Sequence, residues 1–96
     1  MIFGYKIEDV AGTQLLEAML WYESKRPALG DELYLCFEEG LNNVCRNPFY
    51  EDRYRGLRVY NIHRFPYQII YSIEVETIIV VAFFHAKRNP EIWKRK

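Results

Sequence analysis

The apolar positions of this 96-residue chain change period as it proceeds. Ile2 to Ile7 alternates loosely, with Ile2, Gly4 and Lys6 set against Phe3, Tyr5 and Ile7, which predicts a short first strand. From Val10 to Lys25 the spacing is helical: Ala11, Leu15, Ala18, Met19 and Tyr22 share one stripe, and Leu16, Leu20 and Trp21 widen it. A helix apolar around more than half its girth has two sides to bury, one against a sheet and one against a second helix or a partner chain. Glu8 and Asp9 place acid at its start, where it complements the positive end of the helix dipole.

Ser24-Lys-Arg-Pro27 breaks that helix, and Pro27 suits the first turn of another. From Pro27 to about Asn47, the residues Leu29, Leu33, Cys36, Phe37, Leu41 and Val44 form a cleaner stripe, with Gly40 on it permitting close backbone approach. Asp31, Glu32, Glu38, Glu39, Asn42 and Asn43 lie opposite, and Asn47-Pro48 ends the helix. Two helices with so short a connection form an antiparallel hairpin. Residues 49–56 are a polar, aromatic-dotted link.

Three segments of strand composition follow, Leu57 to Phe65, Tyr67 to Ile73 and Thr77 to Phe84. The short Glu74-Val75-Glu76 connection makes the last two a hairpin. The final strand is apolar on both faces, which predicts a central position. Asn89 and Pro90 then suit the cap and first position of a helical turn that carries Trp93 and the basic end Lys94-Arg95-Lys96. The order predicts an α+β fold: an N-terminal strand, a two-helix antiparallel hairpin on one face of a largely antiparallel four-stranded sheet, and a short C-terminal helical turn.

Composition narrows the function classes. One domain fits the length, and the apolar half of the composition, rich in aromatic residues, supports a folded core. The longest apolar run, Ile78 to Phe84, falls far short of the ~20 residues of a membrane helix, and no signal peptide is visible, so a cytoplasmic protein without membrane association is expected. Cys36 and Cys45 stand nine apart on one helix, ~13 Å of rise, too far for a disulfide, and no His or Cys beside them suggests zinc. Neither a cofactor nor a metal is expected. The zero net charge hides an asymmetry: residues 1–50 hold four Lys/Arg against eight Asp/Glu, and residues 51–96 hold nine against five. Nucleic-acid-gripping chains are usually basic throughout, whereas this one is basic only in its C-terminal half.

The most specific segments lie in that half. They are Arg64-Phe65-Pro66-Tyr67-Gln68-Ile69-Ile70-Tyr71 and His85-Ala86-Lys87-Arg88-Asn89-Pro90-Glu91-Ile92-Trp93. With Trp21-Tyr22-Glu23, Leu29-Gly30 and Asn47-Pro48, and with the order of elements, they make the chain resemble the RelE/ParE toxin family of bacterial type II toxin–antitoxin pairs. The resemblance covers nearly the whole chain and is closer to the ParE-like branch. It implies a growth-inhibiting toxin neutralised by a cognate antitoxin that wraps around it. ParE-like members inhibit DNA gyrase, whereas RelE-like members cleave mRNA in the ribosome without a metal.

RNA cleavage by 2′-hydroxyl attack needs a base, an acid and cations for the phosphorane. Under that alternative the catalytic residues are His85, Arg88 and Arg64, with Arg88 standing where the resemblance puts a last-strand Arg. Under the binding alternative the contact residues are Arg58, Arg64, Lys87, Arg88 and Trp93. Two departures favour binding: Gln68 stands where RelE-like nucleases commonly carry Arg, and Trp93 stands near their C-terminal Tyr. Plainer readings exist for each. His85 serves equally as a hydrogen-bonding residue at a strand end, and His63 as a surface residue. Arg58 and Arg64 share strand parity and are expected on one face. Phe65-Pro66-Tyr67 is expected to form a rigid turn with its rings in the core. A non-toxic member that only binds antitoxin is a third reading, and a homodimer is compatible with all three.

Overall fold

The computed structural model describes residues 3–50 and 52–87, the side chains of 52–54 excepted. The elements run β1 (Gly4–Ile7), α1 (Asp9–Glu23), α2 (Leu29–Arg46), β2 (Asp52–Tyr54), β3 (Leu57–Asn61), β4 (Tyr67–Glu74) and β5 (Thr77–His85). The α+β architecture is as the periodicity predicts. The sheet order is β1-β5-β4-β3-β2, with β1 parallel to β5 and every other pair antiparallel. The four expected strands are joined by a short fifth, β2, at the edge beyond β3. No helix among the described residues is long and apolar enough to cross a membrane.

The helical hairpin covers one face of the sheet. Ala11, Leu15 and Ala18 of α1 and Leu33, Phe37, Leu41 and Val44 of α2 pack with Ile69, Tyr71, Ile78, Val80 and Phe83 in one buried cluster. A smaller cluster of Val59, Ile70 and Ala82 occupies the opposite face. Cys36 and Cys45 are buried free thiols of the α2 core side. A β-bulge explains how β5 is apolar on both faces. Tyr71 pairs with Val80 and Ile70 with Ala82, which leaves Val81 as an extra residue. The bulge reverses side-chain parity, so Ile78, Val80 and Phe83 all meet the helices.

β5 is internal, as its composition predicts, because β1 covers its outer side as far as Val80. Beyond Val80 that edge belongs to α1. The Phe83 backbone N–H donates to Gln14 Oε1 at 2.8 Å, so a helix side chain satisfies a donor that no strand reaches.

Two sequence expectations shift. First, α2 begins at Leu29 rather than Pro27, because Ala28 takes a left-handed conformation (φ 72°) that ends the connection. Ala28 has no capping side chain. The carboxylate of Glu23, the last residue of α1, substitutes by accepting the N–H groups of Ala28 (2.9 Å) and Gly30 (3.0 Å). Second, the strand expected over 57–65 stops at Asn61, and a tight turn occupies the rest. The C-terminal turn expected from Asn89 and Pro90 lies outside the described residues.

Gly30 marks the closest approach within the hairpin. A Cβ there would lie 2.6 Å from the Met19 backbone oxygen. Gly40 plays the same part against the sheet, where a Cβ would meet Tyr60 Cε1 at 3.0 Å. At the far end of the sheet, Tyr71 is fully buried and donates its hydroxyl to Pro48 O at 2.8 Å, while Arg58 Nη1 donates to Tyr50 O. The segment leaving α2 is thereby tied to β3 and β4.

Two stability predictions follow from these contacts. Gly30→Ala must push the helices apart against backbone, and urea denaturation is expected to show a loss of about 1–3 kcal/mol. Burial raises the Tyr71 phenol from 10.0 to about 12. A raised folded-state value means stability that is present below pH 10 and lost as pH rises through about 12. Tyr71→Phe is expected to cost about 1–3 kcal/mol at neutral pH by orphaning the Pro48 carbonyl. It should also remove that share of alkaline destabilisation in denaturation curves taken across this range.

Candidate functional site

The β3–β4 turn, the end of β5 and the C-terminal end of α1 converge at one end of the molecule. The turn is built by its own backbone. Phe65 N–H donates to His63 O (2.9 Å), Tyr67 N–H to Phe65 O (2.8 Å), and Ile62 N–H to Tyr67 O (3.1 Å). Arg64 sits at φ 74° in the middle. Phe65 and Tyr67 are buried on either side of exposed Pro66, so the expected rigid turn with core rings is present. Ala86 N–H donates to Pro66 O at 2.6 Å and fastens the end of β5 to this turn.

That geometry separates the two arginines expected on one face. Arg58 lies within β3, opposite Tyr71, and holds Tyr50. Arg64 lies outside any strand, and its guanidinium reaches across to α2, 2.8 Å from Glu32 Oε1 and 5.3 Å from the Phe65 ring centre. Arg26 joins the same carboxylate at 3.2 Å. Arg64 first, and then Arg26, holds the Glu32 carboxyl below its ordinary value, while Glu32 raises that of Arg64. The charge expected to meet phosphate is therefore already paired with a carboxylate.

His85 pairs with Tyr67 across β4–β5, and their rings meet edge to face at 5.2 Å. Lys87 N–H donates to His85 Nδ1 at 3.1 Å, which fixes Nδ1 as an acceptor and leaves the ring proton on Nε2 in this arrangement. Lys87 is exposed next to it. Arg88 and Trp93 lie outside the described residues. Gln68 accompanies Asn61 on the helix-free face and donates to its Oδ1 at 3.0 Å. His63 is exposed, as expected.

A cleft of about 250 Å³ opens between α1 and the sheet, lined by Trp21, Tyr22, Tyr67 and His85. Tyr22 stands edge to face with Trp21 (4.9 Å) and with Phe65 (5.0 Å), and Tyr67 stacks on Phe83 (4.9 Å). Lys25 Nζ lies 4.7 Å from the Trp21 ring centre. Along the chain Trp21 and Tyr22 belong to the apolar stripe and to the Trp21-Tyr22-Glu23 segment of the family resemblance, and Lys25 to the basic break; only their position beside the end of β5 marks them as candidate site residues. Among the described residues no group of three or more His, Cys, Asp or Glu side chains is gathered as a metal site would require.

The sequence profile of the ParE toxin of type II toxin–antitoxin systems (parDE) matches residues 5–90. The chain belongs to this ParE toxin family. Its fold is similar to that of a chromosomal ParDE toxin–antitoxin system from P. aeruginosa, with a TM-score of 0.77 and 12% identity over 88% of this chain and 96% of that one. It is also similar to the RelBE2 toxin–antitoxin complex from Mycobacterium tuberculosis, with a TM-score of 0.58 and 17% identity over 88% of this chain and 99% of that one. No curated protein matches the sequence. At such identities the two structures carry the fold, and the family membership rests on the profile.

Within this ParE-family chain the Glu32 bridge links three segments: the interhelical connection through Arg26, α2 itself, and the β3–β4 turn through Arg64. All three side chains reach solvent, so the bridge orders these segments more than it stabilises the fold. Its carboxylate contribution is present above the ordinary Glu value and is lost as pH falls through the depressed one. NMR titration of the Glu32 carboxyl carbon is expected to give a midpoint below the ordinary Glu range. Arg64→Ala should move that midpoint back upward by more than Arg26→Ala does.

Proposed function

We propose that the protein is the toxin of a type II toxin–antitoxin pair, that it acts by binding its target rather than by cutting RNA, and that the target is DNA gyrase. The family match over residues 5–90 carries the reading. The site geometry supports the choice of mechanism. Strand-end cleavage of RNA would need cations poised for phosphate and an imidazole able to exchange a proton. Arg64 is instead bound by Glu32, and His85 Nδ1 is engaged by the Lys87 backbone. Arg58 holds the loop after α2 at another part of the sheet. Lys87, with Arg88 and Trp93 beyond it, is the remaining set of contact residues in this reading.

A cognate antitoxin is the second partner. Both similar structures are described as toxin–antitoxin systems. Val10, Leu16 and Leu20 of α1 are more than half exposed, so the helix predicted to bury two sides buries one within this chain. A neutralising partner that covers them would remove that apolar surface from water.

Purified protein is expected to inhibit gyrase-catalysed supercoiling of relaxed plasmid, and added antitoxin should relieve the inhibition. Mapped mRNA 5′ ends after induction should show no new codon-linked cuts. Supercoiling left untouched at concentrations that arrest growth would overturn the gyrase assignment, and ribosome-dependent cuts would replace it with the nuclease mechanism.

A further inference from the structure

We infer that the cleft between α1 and the end of β5 is the toxin's target-binding socket, and that it receives one aromatic or long apolar anchor side chain from an acidic segment of the target protein. The inference rests on the binding-toxin reading and adds to it the surface and the chemistry of recognition.

Size is the first argument. At about 250 Å³ the cleft is below the ~300–1,000 Å³ of sites that enclose a cofactor or small ligand, and suits a single side chain. Its lining is the second. Trp21, Tyr22 and Tyr67 contribute ring surface and His85 a ring edge. Aromatic side chains of this kind dominate protein–protein anchors, because they bury large area with few torsions to freeze. Trp21 is 55% exposed, so an incoming group has apolar surface left to cover. Tyr22 and Tyr67 are held in place by Phe65 and Phe83, which makes the floor rigid before anything binds.

Charge is the third argument, and it selects the partner. Lys25 Nζ lies 4.7 Å from the Trp21 ring centre, which puts a cation beside the cleft, and the exposed Lys87 stands two residues beyond His85. Glu23 is directed to the Ala28 and Gly30 N–H groups, and Glu32 to Arg26 and Arg64. Lys25 gives the Trp21 side of the cleft a cation, whereas the outer side of α2 exposes Asp31, Glu38 and Glu39. An acidic segment is drawn to the first surface and repelled by the second. A polynucleotide fits less well, since the chain carries no net charge and the cleft has room for one ring rather than a tracked backbone.

Trp21→Ala and Lys25→Glu alter exposed positions. Thr13→Ala, at an exposed position of α1 two turns before the cleft, serves as the control. Each full-length variant would be checked for wild-type circular dichroism, then tested for growth arrest on induction and for binding to purified gyrase. Trp21→Ala is expected to weaken binding by about 30-fold or more and to abolish arrest. Lys25→Glu should slow association and flatten its salt dependence. Thr13→Ala should bind gyrase as wild type does. Folded Trp21→Ala and Lys25→Glu proteins that still arrest growth would overturn the socket. So would cleavage of mRNA that these substitutions abolish, which would make the occupant RNA. A concentration-dependent dimer lost in Trp21→Ala would make it a second copy of the chain. If wild-type protein arrests growth without binding gyrase, the gyrase reading fails by itself, and the socket is judged by whether the two variants lose arrest. A wild-type chain that does not arrest growth overturns both.

Discussion

One extra residue in β5 sets the geometry of the site. Without the bulge at Val81, strict alternation from Ile78 and Val80 would carry Ala82 and Phe84 to the helix side, and Phe83 and His85 to the other. With it, Phe83 enters the main core, and His85 comes to the side where Trp21 and Tyr22 of α1 stand. The bulge lies close to where β1 stops covering β5, and there Gln14 of α1 takes over as partner for the Phe83 N–H. Strand, helix and site are therefore positioned by a single local irregularity, as is common where a sheet must re-aim a side chain.

The second constraint is the junction of the helices. Gly30 allows α2 to start against the Met19 carbonyl, and Glu23 supplies the cap that Ala28 cannot. This fixes the azimuth of the last turn of α1 and hence the direction of Trp21 and Tyr22. The carboxylates here serve structure: Glu23 satisfies backbone donors, and Glu32 gathers two guanidiniums. Their effect on function is indirect. By engaging Arg26 and Arg64, Glu32 leaves Lys25, beside the Trp21 ring, as a cation at the aromatic cleft.

This division of charge is coherent with the recognition mechanism proposed for this ParE-family chain. A nuclease site concentrates uncompensated cations where a phosphorane forms. Here the most prominent arginine of the turn is neutralised by a partner 32 residues earlier in the chain.

The sequence by itself determined the fold class, the helical hairpin, the order of the strands along the chain and the Phe65-Pro66-Tyr67 turn, because hydrophobic period, proline position and connection length are local properties. It also carried the family resemblance that the profile match bears out. It placed Arg58 and Arg64 on one face, because parity was extended through a strand that in fact ends at Asn61, where a turn held by i to i+2 backbone bonds takes over. Glu32 read as an ordinary member of a solvated helix face, and Trp21 as the edge of an apolar stripe. Only the tertiary structure could decide that Glu32 neutralises Arg64, that a bulge turns His85 towards α1, and that Trp21, Tyr22, Tyr67 and His85 share one cleft. Each of these depends on contacts between residues distant in the chain, whose meeting is set by packing rather than by any pattern along it.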